Sequence, residues 1–238
     1  MNEAKTAVIT GASKGMGKTL AKKFYGAGYN LLVCARNETD LNALSEELKF
    51  SGTPNSVSYY TADLGDKSQA IEFGNWVLKQ GCKVNVLINN AGQFLPGSIY
   101  NEKDGIFEQM LAVNLSSAYH VTRVLLPGMM LEKSGHIFNI CSIASLNAYP
   151  NGGSYSISKF ALMGFSKNLR EELKPYNIKV TAVYPGAVFT ASWEGSGVEP
   201  GRIMIPSDIV EMIFSASHLS PQACVEEIVI RPQKGDIL

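Results

Sequence analysis

The sequence predicts an α/β fold: one domain over residues 1–238, built on a doubly wound parallel sheet of about seven strands. Short runs rich in Val and Ile recur along the chain, longer stretches with helical spacing separate them, and turn-forming residues gather directly after the runs. Strands that alternate with helices imply right-handed crossovers and a sheet covered on both faces. With 238 residues, 45% hydrophobic and 18% charged, the chain can bury such a core.

The first strand is "TAVIT" (6–10), followed by "TGASKGMG" and the helical stretch "GKTLAKKFYGAG". Gly11, Gly15 and Gly17 thus form a G-x-x-x-G-x-G pattern between strand and helix. Glycines there let the backbone turn tightly and approach a pyrophosphate, and the helix N-terminus adds free N–H donors and the positive end of its dipole. The spacing is not that of the general dinucleotide fingerprint, and a purely structural turn accounts for the glycines equally well. The second strand, "NLLVCA" (30–35), ends at Ala35-Arg36 with no carboxylate before Glu38. An acid at that place accepts from the ribose 2′-hydroxyl of NAD, whereas an arginine accommodates the 2′-phosphate of NADP. Arg36, with Lys14 as a second positive charge, therefore favours NADP(H), against the plain alternative of two solvated surface charges.

After the helical "TDLNALSEELKFSG", the third strand "SVSYYTA" (56–62) ends at Asp63. This aspartate is an acceptor for an adenine amino group, or a turn or cap residue ahead of "KSQAIEF". The fourth strand, "VNVLIN" (84–89), leads into "NNAG" (89–92), which is a turn that stabilises the sheet, a backbone wall against a cofactor, or both. The fifth and sixth, "HIFNIC" (136–141) and "KVTAVY" (179–184), lead into "CSIAS" and "PGAVFT", and "EEIVIR" (226–231) is the last. Ligands on such a sheet bind beyond the carboxyl ends of the strands, so these stretches share one crevice.

Within "SYSISKFALMGF" (154–165), Tyr155 and Lys159 stand at i and i+4 on one helical face. A tyrosine near its ordinary pKa of ~10 is a poor acid or base at neutral pH, and a nearby ammonium lowers that value. Lys159 sits where it could do this, and where it could hold a cofactor ribose. Ser142, thirteen positions before Tyr155, can bring its hydroxyl to the same carbonyl oxygen as the phenol and stabilise charge developing there. Asn114, a polar residue in the apolar stripe of "MLAVNLSSAYH", needs buried partners: a proton-relay water, or the helix backbone. Each residue alone has a plain account, as a helix-start aromatic, a surface lysine, a cap and a brace. Their coincidence at one crevice points to chemistry. Neither histidine nor acid pairs with Ser142 in a nucleophile motif, which disfavours acyl transfer.

Lys+Arg and Asp+Glu balance at 21 each, and no basic run exists to follow a phosphate backbone, so nucleic acid is not expected as a partner. "MNEAKTAVITGAS" lacks a signal layout, and no apolar run approaches the ~18 residues of a membrane span, so a soluble cytoplasmic protein without membrane contact is expected. Cys34, Cys82, Cys141 and Cys224 show no C-x-x-C and read as reduced core thiols. His120, His136 and His218 have no metal-site spacing, and no metal is expected.

"TGASKGMG", "NNAG", Asn114, Ser142, "YSISK" and "PGAVFT" resemble, in order and spacing, the motifs of the short-chain dehydrogenase/reductases, across essentially the whole chain. The resemblance implies a single NADP-binding Rossmann-type domain with a short substrate loop near 191–205. It implies that Tyr155 is the catalytic acid, Lys159 its activator and ribose ligand, Ser142 the substrate-orienting donor and Asn114 the holder of a relay water. The implied cofactor surface runs over Gly11, Ser13, Lys14, Gly15, Met16, Gly17, Arg36, Asp63, Leu64, Asn90, Ala91, Gly92, Pro185 and Gly186, with Tyr155 and Lys159. Val188 and Thr190 would face the nicotinamide carboxamide, and the pro-S hydride would be transferred. A homodimer or homotetramer is implied through the helices bearing Asn114 and Tyr155; the apolar surface of "FALMGF" suits this, and core packing accounts for that stretch as well.

For substrate, Trp193 and Met204 in "ASWEGSGVEPGRIMI" line a pocket for a flat ring or simply close the fold. The ending "VEEIVIRPQKGDIL" departs from the glycine-rich "VDGG" of 3-oxoacyl-carrier-protein reductases and resembles that of bacterial sepiapterin reductases and of small hydroxy-acid dehydrogenases in the same branch; in the sepiapterin reading Asp236 would anchor a pterin amino group, and a solvated tail carboxylate is the alternative. The expected activity is NADPH-dependent reduction of a small ketone, with a pterin side-chain ketone as the specific case. The rivals are a 3-oxoacyl or 3-hydroxy-acid oxidoreductase and, from another class, an NADP-binding sensor or scaffold without turnover.

Overall fold

The computed structural model describes residues 4–50, 52–190 and 197–237. One seven-stranded parallel sheet runs in the order β3-β2-β1-β4-β5-β6-β7. Its strands are β1 (Thr6–Thr10), β2 (Asn30–Ala35), β3 (Val57–Thr61), β4 (Val84–Asn89), β5 (Gly135–Ile140), β6 (Ile178–Pro185) and β7 (Glu227–Ile230). The strand order reverses between β1 and β4, which opens a crevice above their carboxyl ends.

Helices α1 (Gly15–Gly26), α2 (Glu38–Lys49) and α7 (Pro206–Ser217) cover one face, and α3 (Lys67–Lys79), α5 (Ser117–Glu132) and α6 (Gly153–Leu173) the other. The remaining α4 (Ile106–Leu111) joins α5 through a π-helical turn, Ala112–Ser116. Side chains alternate between the two layers: Ala7, Ile9, Leu31 and Val33 pack under α1 and α2, while Val8, Leu32 and Cys34 pack under α3 and α5. A period of two explains why each strand reads as a continuous apolar run. Among the described residues, no helix is long and apolar enough to cross a membrane.

One expectation needs correction here, and one pair of alternatives is resolved. Cys34 and Cys141 are buried, but Cys82 and Cys224 are only half-buried, because each lies outside the strands at a segment end. "FALMGF" is mostly inward: Leu162 is buried and Met163 and Phe165 pack against the core, leaving Phe160 as the exposed large residue of the stretch.

His136, on β5, is buried and its Nε2 lies 2.7 Å from the Thr181 hydroxyl, which itself donates to the Val225 carbonyl. Nε2 therefore carries the proton. Burial, helped by the charge of Lys179, pushes the imidazole down to about 3 from an ordinary 6.5. Between those values the unfolded chain binds a proton that the native state refuses, so stability is lost as pH falls, at up to ~1.4 kcal/mol per pH unit. We expect His136→Gln to flatten the loss of urea-unfolding free energy between pH 7 and about 4.5 by roughly 2–3 kcal/mol. Identical pH slopes in the two proteins would show that other groups control acid stability.

Candidate active site

The turn after β1 is shaped by close backbone approach. Gly11 has φ +65, and a Cβ there would lie 2.9 Å from Ala91 Cα; a Cβ on Gly17 would collide with the Gly11 carbonyl. The amide of Asn90 donates to the carbonyls of Thr10 and Gly11 at 3.0 and 3.1 Å, and the Thr10 hydroxyl accepts from the Asn90 and Ala91 N–H groups. "NNAG" thus welds the glycine turn to β4. Lys14 occupies the cap position of α1 with no side-chain cap bond, so the first-turn N–H groups of a twelve-residue helix face the crevice, a donor set that fits a pyrophosphate. Ser13 is half-buried in this turn, and Met16 packs its side chain on the core.

Along the β2 and β3 ends, Arg36 is exposed, while Asn37 caps α2 by accepting from Asp40 N–H at 3.0 Å. Lys14 is not a lone charge: its ammonium pairs with Asp40 at 3.1 Å. Asp63 accepts from Gly65 N–H at 3.0 Å, whereas the cap of α3 is Asp66, so the capping account of Asp63 moves three residues on. Leu64 buries its side chain beside Val8 and Leu32, which leaves its peptide as the part available to a ligand.

On the opposite side of the crevice the polar residues converge. The π-helical turn rotates Asn114 inward, where it is 1% exposed; its carbonyl accepts from Gln93 N–H at 2.7 Å, and its amide donates to the Gln93 carbonyl and the Ser158 hydroxyl. The backbone that Asn114 meets is not that of its own helix but the Gln93 peptide, in the segment after "NNAG". Lys159, also buried, donates to the Ile140 carbonyl at 2.8 Å, and its Nζ lies 5.8 Å from the centre of the Tyr155 ring. Gly92 separates the two: a Cβ there would lie 3.3 Å from Asn114 Oδ1 and 3.5 Å from Lys159 Nζ. A buried chain from Asn89 through Asn139 to Ser166 ties β4, β5 and α6 together beneath them.

Ser142 caps the short turn after β5 by accepting from Ala144 N–H, and its hydroxyl lies close enough to the Tyr155 phenol to act on its ionisation. The phenol does not behave as the sequence suggested. Burial pushes it up to about 12, opposed by the nearby Ser142 hydroxyl, because a phenolate there would lose its water. Burial also brings Lys159 down to about 8, so its ammonium is held in place without depressing the tyrosine. At neutral pH the arrangement presents a protonated phenol, a serine hydroxyl and a buried ammonium to one point. Such a group can polarise a carbonyl and deliver a proton to its oxygen.

Two aromatic rings flank the phenol, and the sequence did not signal them. Phe94, 47% exposed, packs edge-on against Tyr155 at 4.8 Å, and Tyr149, 38% exposed, is close enough to Tyr155 to act on its ionisation. Gln93 and Ser158 were missed as well; their only sequence signal is adjacency to "NNAG" and to Lys159.

The β6 extension pairs with Met204 in a parallel bridge: Phe189 N–H donates to the Met204 carbonyl and Met204 N–H to the Ala187 carbonyl, so the peptide groups of Val188 turn to the other edge. Thr190 packs on Gly15, its Cγ2 3.2 Å from where a Cβ would stand. Met204 is buried in the core, so it closes the fold rather than lining a pocket, and Trp193 lies outside the described residues. Asp236 is not a solvated tail: it pairs with Arg231, and its Oδ1 is buried against Gly186, which follows Pro185 at the end of β6. A cavity of about 680 Å³ opens beside it, between Arg202 and Lys234.

The family model "short chain dehydrogenase" matches residues 5–198. A sepiapterin reductase of Chlorobaculum tepidum is 30% identical over 97% of each chain. Among solved structures, a metagenomic short-chain oxidoreductase in complex with NADP superposes with a TM-score of 0.83 at 30% identity, covering 96% of this chain and 97% of that one. An alcohol dehydrogenase from Thermococcus sibiricus complexed with 5-hydroxy-NADP gives 0.89 at 26% identity, over 99% and 100%.

Proposed function

Because this chain belongs to the short-chain dehydrogenase/reductase family, whose members are oxidoreductases acting between alcohols and carbonyls, we propose that it is an NADPH-dependent reductase of small ketones that carry a flat conjugated ring, a pterin side-chain ketone among them. The observation that carries the reading is the juxtaposition of Ser142 with the Tyr155 phenol, close enough to act on its ionisation, and of Lys159, buried with its Nζ 5.8 Å from the Tyr155 ring centre. Bound NADPH supplies the hydride. The residues that would hold it are the N–H groups at Gly15, Met16 and Gly17, with Gly11 and Ser13 in the turn, Arg36 and Lys14 at a 2′-phosphate, Asp63 and Leu64 at the adenine, and Asn90, Ala91 and Gly92 along the backbone wall. Pro185, Gly186, Val188 and Thr190 line the nicotinamide end, where the peptide groups of Val188 suit a carboxamide.

Ser142 donates to the substrate oxygen and Tyr155 gives it a proton. Lys159 then stabilises the phenolate that Tyr155 becomes, and Asn114 holds the Gln93 segment against the site. Phe94 and Tyr149 support a flat substrate, since two half-exposed rings offer stacking surface beside the phenol. Asp236 Oδ1 supports an amino group on that ring. Assembly as a dimer or tetramer through α5 and α6, which expose Tyr119, Ile157 and Phe160, belongs to the same reading.

The test is NADPH oxidation followed at 340 nm against sepiapterin, small diketones, 3-oxo acids and a 3-oxoacyl thioester, with NADH controls. Turnover of sepiapterin without the thioester supports the proposal. Preference for the thioester favours the 3-oxoacyl rival, and tight NADPH binding with no turnover on any of them favours a sensor.

A further inference from the structure

The helix that carries Tyr155 and Lys159 begins without a cap of its own, since Gly152 precedes it and offers no side chain. The cap comes from far away in sequence. Glu102, in the loop after β4, accepts from Ser154 N–H at 2.8 Å with Oε1 and from the Ser154 hydroxyl with Oε2. The carboxylate sits in a cradle that glycines make possible. Gly153 has φ +37, and a Cβ there would run into Glu102 Oε1, while one on Gly97 would lie 2.8 Å from Glu102 Cγ. Around it Gly97 N–H donates to the Asn151 carbonyl at 3.0 Å, and Ser98 donates to the Asn151 side chain at 2.8 Å.

A carboxylate at a helix N-terminus is favoured by the free N–H groups and by the dipole. Here it also joins two parts of one site, because the loop that holds Glu102 also presses Phe94 on Tyr155 and Gln93 on Asn114. Ser154 is the immediate neighbour of Tyr155, so a shift at the cap moves the phenol directly.

We propose that Glu102 is a positioning residue for Tyr155, bracing the start of α6 against the substrate-side loop so that the phenol keeps its place beside Ser142. The inference rests on the reading of Tyr155 as proton donor. Burial, Ser142, Tyr149 and Cys141 set the ionisation of the phenol, so Glu102 acts by geometry and not by charge.

The experiment compares wild type, Glu102→Ala and Glu102→Gln for kcat, KM for NADPH and thermal midpoint, together with amide hydrogen exchange over residues 153–159. Glu102→Ala is expected to lower kcat about ten-fold or more with KM for NADPH nearly unchanged and faster exchange at the helix start, since small displacements at a reacting group are costly. Glu102→Gln, which keeps an acceptor for Ser154 N–H, should recover most of that loss. An unchanged kcat in Glu102→Ala overturns the proposal, as does a parallel fall of kcat, NADPH affinity and thermal midpoint, or an equal loss in both variants. If wild type turns over no ketone in a Tyr155-dependent way, the functional reading fails instead, and unchanged exchange in Glu102→Ala then removes the brace by itself.

Discussion

Replacing Tyr155 by Phe is expected to lower kcat by about 10²–10⁴-fold, the usual share of a positioned general acid, while NADPH affinity stays nearly unchanged. The substitution removes one oxygen and keeps the ring that packs on Phe94 at 4.8 Å, so the wall of the site survives. Titration sharpens the test. With the phenol pushed up to about 12, Tyr155 stays protonated across the working range, as a donor for reduction must be. Lys159, at about 8, is the group that titrates within reach. Its ammonium is lost as pH rises, and with it the charge that stabilises the phenolate left after proton transfer. The reduction rate should therefore fall on the alkaline side from roughly pH 8. Measured kcat for the two proteins, with a pH profile for wild type, decides the matter; activity within a few-fold of wild type in Tyr155→Phe would remove the proton-donor role.

The second large effect concerns the cofactor. Arg36→Asp should invert the preference from NADPH to NADH, read as the ratio of kcat/KM for the two. A hydrogen bond to a charged group contributes about 1.5–3 kcal/mol, so losing the guanidinium costs roughly ten- to a hundred-fold for NADPH, and the new carboxylate adds repulsion of the 2′-phosphate while offering an acceptor to the 2′-hydroxyl of NADH. Arg36 is exposed at the end of β2, so the exchange should cost little stability. Lys14→Ala should matter less, because its ammonium is already paired with Asp40. An unaltered ratio in Arg36→Asp would mean that the phosphate is read by another residue.

Much of the site was legible because it lies in short stretches whose order follows the strands. The turn after β1, Arg36 after β2, "NNAG" after β4, Ser142 after β5 and Tyr155 with Lys159 on α6 are each set by a local geometry, and the parallel sheet brings such ends together. Asp63 was legible only in part, because the true cap, Asp66, satisfies the same local rule three residues later. Phe94, Tyr149 and Glu102 left no signal, since an aromatic or an acid in a loop looks alike whether it faces solvent or another segment. The expected fall in the Tyr155 pKa failed for a related reason: helical spacing reports that Lys159 shares a face with the phenol, but not how far the surrounding chain desolvates each of them.

By itself, then, the sequence determined the succession of strands and helices along the chain, the doubly wound sheet and the residues gathered at its carboxyl ends, because hydrophobic period, glycine turns and i, i+4 spacing are local properties of the chain. The tertiary structure alone decided which partner each polar group meets: Asn114 the Gln93 peptide, Asp236 the buried edge of Gly186, Glu102 the start of the helix that carries Tyr155. Burial and ionisation follow from those meetings, since desolvation depends on everything packed around a group, whatever its distance along the chain.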